Sequence, residues 1–138
     1  MLTVERIVGN FEILMDWEER YRYIIDLGKQ IEGLDECSRT EENRVQGCVS
    51  NVWLVTEIEN TEPPAFKFRA DSDAHIVRGL IAILLCAYSE KTASEILAVD
   101  IKGLFEQLEL SSHLSPSRSN GFFSIVERIR SLATAHAA

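Results

Sequence analysis

Val52-Trp53-Leu54-Val55-Thr56-Glu57-Ile58, then Phe66-Lys67-Phe68-Arg69-Ala70, mark where the chain turns from helical spacing to strand patterning. The first run is β-branched and aromatic. The second alternates apolar and polar residues as a half-buried strand does. Between them Glu59-Asn60-Thr61-Glu62-Pro63-Pro64 cannot continue a ladder, because proline lacks the N–H donor. The reading is an antiparallel hairpin with a long turn, and a small sheet, since few other stretches look like strand.

Helices are expected on both sides of it. Upstream, Asp16-Trp17-Glu18-Glu19 is a cap with acid in the first turn, opening the first expected helix. That helix turns Tyr21, Ile24, Ile25 and Ile31 inward and ends at Gly33. A polar segment, 35–44, follows and is hydrophilic enough to be mobile. Downstream, Asp71 or Ser72 is expected to cap a strongly apolar helix over 73–88 carrying Val77, Leu80, Ile81, Leu84 and Leu85. Thr92-Ala93-Ser94-Glu95 is a capping box, and 101–108 offers another short helix. Ser115-Pro116 supplies a cap and a first-turn proline for a closing helix striped by Phe122, Ile125, Val126, Ile129 and Leu132. The fold class is α+β, helices packed against a small antiparallel sheet, in one domain over 1–138.

Bulk properties narrow the function. The 138 residues are 46% hydrophobic and 26% charged, as in an ordinary globular protein. A net charge of −8 repels a phosphate backbone, so nucleic acid is a poor partner. The apolar run 79–88 is shorter than the roughly 20 residues needed to span a bilayer. The opening Met1-Leu2-Thr3-Val4-Glu5-Arg6 lacks a signal peptide's apolar stretch, and three cysteines without regular spacing make no disulfide framework. A reducing, cytoplasmic setting is expected, with no membrane partner.

Chemistry concentrates in Gln46-Gly47-Cys48-Val49-Ser50-Asn51-Val52-Trp53. Gly47 permits an unusual turn, which presents the Cys48 thiol before the first strand, and Ser50 and nearby backbone donors can stabilise a sulfur anion. Spacing alone divides this evenly from a cysteine that merely fills space. Cys86, between Leu85 and Ala87, reads as core. Cys37 stands beside Asp35 and Glu36, which repel a thiolate. The three cysteines lack the tight spacings of zinc or cluster sites, so no metal is expected. His113 would favour a thiolate at Cys48 if the two loops met; a solvated histidine is the alternative. Arg118 can fix a loop through a carboxylate, with Asp71 and Asp73 the natural partners, or all three can be separate solvated charges.

These stretches, with His113-Leu114-Ser115-Pro116-Ser117-Arg118-Ser119-Asn120-Gly121 and Trp17-Glu18-Glu19-Arg20-Tyr21, resemble the SufE family in order and spacing over nearly the whole chain. Ser50 mildly favours the SufE branch over the related CsdE proteins. The resemblance implies a SufE/IscU-like fold with Cys48 as the sulfur acceptor, and Gln46, Gly47, Ser50, Trp53, Asp71, Asp73, His113 and Arg118 as supporting motif residues. It implies a cysteine desulfurase of SufS or CsdA type as donor, an iron–sulfur scaffold complex as recipient, and stimulation of the desulfurase. Pyridoxal phosphate (PLP) belongs to that partner, so no cofactor is expected here. The protein would be a sulfurtransferase-like carrier and cosubstrate more than an autonomous enzyme. The alternatives are an iron–sulfur scaffold, a non-accepting activator of a desulfurase and, third, a generic thiol oxidoreductase, which lacks its Cys-x-x-Cys.

Overall fold

The computed structural model describes residues 3–47 and 50–136. Helix α1, Val4–Ile13, was not among the expected elements. Thr3 caps it by accepting from the Arg6 N–H, and Ile7 and Phe11, four apart on one face, are buried. Helix α2, Trp17–Lys29, opens as expected, with the Asp16 carboxylate accepting from the Glu19 N–H. It ends before Ile31, and Gly33 lies past its end at φ +72°.

Strands β1 (Val52–Ile58) and β2 (Ala65–Ser72) form the antiparallel hairpin, in a register that sets Val52 opposite Ser72 and Trp53 opposite Asp71. Side chains alternate between faces, so Val52, Leu54, Phe66, Phe68 and Ala70 enter the core. A third strand, β3 (Lys91–Thr92), pairs with Ala65 and Phe66 to give the order β1-β2-β3.

Helix α3, His75–Tyr88, lies at the centre, with Leu80, Ile81, Ile83, Leu84 and Tyr88 at most 1% exposed. Fully burying one such aliphatic side chain contributes about 1.5–3 kcal/mol. Its cap corrects the expectation: β2 runs on through Asp71 and Ser72, and Ala74 is the capping position with no side-chain bond. Helices α2 and α3 cross at Gly28 and Gly79. A Cβ on Gly28 would come 2.6 Å from the Gly79 nitrogen, and one on Gly79 would run into the Ile24 carbonyl.

Thr92 and Glu95 complete the capping box of α4, Ala93–Ala98, and Asp100 caps α5, Ile101–Gln107. The short α6, Leu110–His113, leads to α7, Pro116–His136. The Ser115 hydroxyl accepts from the Arg118 N–H at the start of α7. Phe122, Ile125, Val126 and Ile129 are buried as the stripe requires, while Leu132 is only partly buried. Among the described residues no helix is long and apolar enough to cross a membrane.

Candidate functional site

Residues 43–45 run antiparallel to the start of β1. The Val45 N–H donates to the Val52 carbonyl and the Leu54 N–H to the Asn43 carbonyl, both at 2.8 Å. Gln46 and Gly47 thereby continue from one paired limb, and Ser50 and Asn51 lead into the other. Cys48 and Val49 lie outside the described residues; Gln46 and Gly47 precede them, and Ser50 follows. Gly47 has φ +88°, where a side chain costs about 1–2 kcal/mol, and a Cβ there would sit 2.6 Å from the Ser124 Oγ of α7.

The outgoing limb is tied to the β2–α3 junction. The Ser72 hydroxyl donates to the Asn51 carbonyl at 2.6 Å and accepts from the Ala74 N–H at 3.2 Å. The Asp73 carboxylate accepts from Asn51. The segment 35–44 is well anchored. A 3-10 turn, Glu36–Ser38, is capped by Asp35, and the Asn43 amide donates to the Ser38 carbonyl at 2.8 Å.

Asp71, 1% exposed, lies on the outer face of the sheet beneath that segment. Its carboxylate accepts from the Leu34 N–H at 3.0 Å, the Ser72 N–H at 2.8 Å and Arg39 at 2.7 Å, and pairs with Arg78. Burial by itself pushes this carboxyl up. The two backbone donors and the two guanidiniums outweigh burial and hold it below its ordinary range. Arg39 also lies over the Trp53 ring, 5.4 Å from its centroid. Trp53 and Asp71, opposite each other in the ladder, thus share one arginine.

Arg118 therefore does not take the expected bridge: among the described residues, Asp71 is engaged by Arg39 and Arg78, and Asp73 by Asn51. Arg118 instead borders a cavity of about 170 Å³. Ser50 and Val52 from the loop side, Val77 and Leu80 from α3, and Phe122 and Ile125 from α7 enclose it. An apolar chamber with serines and one guanidinium at its wall thus adjoins the loop. The His113 ring stacks on Trp17 at 4.3 Å and 10°. Cys37 is exposed, while Cys86 is half-buried on α3, where burial pushes its thiol up.

Sequence reasoning does not single out Asn51, Arg78, Arg39 or Ser124. Asn51 and Arg78 stand inside stretches already singled out, so their positions were a signal. Arg39 and Ser124 carry none, because their partners are distant in the chain.

Residues 5–133 match the model of SufE, the Fe-S metabolism associated domain. An "uncharacterized SufE-like protein" of Rhizobium etli is 51% identical over 139 aligned positions, covering 100% of this chain and 94% of the relative. Another, of Rhizobium meliloti, is 48% identical over 134 positions and 96% of each. The solution structure of a hypothetical protein from Thermus thermophilus superposes with TM-score 0.75, covering 99% of this chain and 98% of that one, at 15% identity. That likeness speaks to the fold alone. The family match across the chain and two relatives near half identity lead to one conclusion: this chain belongs to the SufE family, whose domain is associated with iron–sulfur metabolism.

Proposed function

We propose that this protein accepts sulfur on Cys48 from the persulfide of a PLP-dependent cysteine desulfurase, stimulates that enzyme, and passes the sulfur to an iron–sulfur scaffold complex in the cytoplasm. The observation that supports the reading is that the chain on either side of the Cys48 position is tied down, at Val45 before it and at Asn51 after it, with Ser50 bordering an apolar cavity. Pyridoxal phosphate stays with the donor, so this chain needs a presented thiol, shelter and a docking surface.

The transfer is a thiol–persulfide exchange. The Cys48 thiolate attacks the outer sulfur of the donor's persulfide; a new S–S bond forms at Cys48 as the donor's S–S bond breaks. The bonding pair leaves with the donor sulfur as its thiolate, the outer sulfur keeps its proton, and no net oxidation occurs. Val52, Val77, Leu80 and Phe122 offer the product a wall apart from water, and Arg118 offers a countercharge to the persulfide anion that forms when the outer sulfur releases its proton to solvent.

The test is incubation of the reduced protein with a SufS-type desulfurase and free cysteine, followed by intact and peptide masses without reductant. One added sulfur on the Cys48 peptide, absent in Cys48→Ser, is expected. Stimulation of the desulfurase with no sulfur on Cys48 would replace this reading with that of an activator. Absorbance of a bound cluster after anaerobic reconstitution, without persulfide, would replace it with a scaffold.

A further inference from the structure

The limb leading into Cys48 lies against α7. Its segment 43–45 uses alternate backbone groups to pair with β1: the Asn43 carbonyl and the Val45 N–H. The carbonyls of Glu42, just before that segment, and of Arg44, within it, turn to the other side, where no strand among the described residues meets them. Arg128 meets them there. Its guanidinium donates to the Glu42 carbonyl at 2.8 Å and to the Arg44 carbonyl at 3.3 Å, 86 and 84 residues away in the chain. One turn earlier on the same face of α7, Ser124 packs against Gly47. One helix face therefore touches the limb at Glu42, Arg44 and Gly47. A planar guanidinium serves two carbonyls at once; a lysine ammonium holds a single point on a flexible stem.

We propose that Arg128 is a positioning residue for Cys48: by holding the carbonyls of Glu42 and Arg44 against α7, it fixes the limb from which the cysteine is presented. This rests on the reading of Cys48 as sulfur acceptor, and the experiment separates the two. Arg128 itself makes no contact with the transferred sulfur in this role. It sets the direction and steadiness of the chain that delivers it.

The full chain and its Arg128→Ala and Arg128→Lys variants would be compared by amide exchange at Val45 and Leu54 and by iodoacetamide labelling of each cysteine. Exposed Cys37 standardises the reagent, and half-buried Cys86 reports opening of the whole fold. In Arg128→Ala, exchange at both amides and labelling of Cys48 should rise about tenfold, the scale of one lost charge-assisted hydrogen bond, with Cys86 unchanged. Arg128→Lys should recover part of the effect. Unchanged exchange and Cys48 labelling in Arg128→Ala would overturn the proposal, as would Cys86 rising in step with Cys48. Exchange at Val45 and Leu54 needs no sulfur donor. A positive result there with no sulfur ever reaching Cys48 would uphold the positioning and sink the carrier reading.

Discussion

Asn51 and Asp73 hold each other at two points: the Asn51 backbone N–H donates to one carboxylate oxygen at 3.2 Å, and its side-chain amide donates to the other at 2.9 Å. The Asp73 N–H reaches back to the Asn51 carbonyl at 3.4 Å. Residue 51 is thus the joint between the cysteine loop and the start of α3, as Gly47 is the joint to α7.

Because this joint is exposed, its loss should be felt locally. Asp73→Ala should lower global stability by no more than about 1 kcal/mol, the usual net worth of a hydrogen bond. Amide exchange at Asn51 should meanwhile accelerate clearly relative to the core of α3. Protection at Asn51 equal to the parent's would show that the loop does not depend on this joint.

Asp71 should behave in the opposite way. Its carboxylate is buried and answers two arginines and two backbone donors, so Asp71→Asn leaves guanidiniums without their counter-ion. A loss of about 3 kcal/mol is expected, measurable as a lower urea midpoint.

The same group gives a pH dependence of defined sign. Its carboxyl is held below the ordinary value of 3.8, so the folded state binds the proton more weakly than the unfolded chain. The stabilisation is complete well above pH 3.8 and is lost as pH falls through the lower folded value. The stability gap between the parent and Asp71→Asn should therefore be flat near neutrality and shrink in acid. A gap that stayed constant below pH 3.8 would contradict the buried carboxylate network.

At Gly79 two effects compete. Alanine in a helix interior is favoured over glycine by about 1 kcal/mol. Here the added methyl meets the Ile24 carbonyl, a backbone group that cannot turn away, and overpacking of that kind costs about 1–3 kcal/mol. Gly79→Ala should therefore be destabilised in thermal melts, and a stabilised variant would mean that α2 and α3 do not cross so closely.

Gly47→Val and Gly47→Asn test the turn before the cysteine. Both add atoms toward the Ser124 hydroxyl, but asparagine tolerates positive φ far better than a β-branched residue. Valine should cost about 1 kcal/mol or more beyond asparagine, read from denaturation midpoints. Equal costs would shift the explanation from backbone conformation to the Ser124 contact.

Elements whose signals are local were legible in the sequence. The Asp16 cap, the Thr92–Glu95 box, the Ser115-Pro116 start and the alternation of 66–70 are short-range chemistry, and each opens or forms the element it foretold. Helix α1 carries a local signal of the same kind, the Thr3 cap and the stripe of Val4, Ile7, Val8 and Phe11, and differs from the other helices only in that the expected elements did not include it. The cap of α3 was misplaced because cross-strand pairing, a long-range interaction, carries Asp71 and Ser72 into β2.

Residue types and their spacing are enough for the α+β class and for the family. The company those residues keep was set by the packed fold. Asp71 takes Arg39 and Arg78 rather than Arg118, and Arg128 finds carbonyls more than eighty residues away. A charged side chain pairs with whatever the packed helices and the sheet register bring within hydrogen-bond reach, and no local pattern encodes which faces will meet.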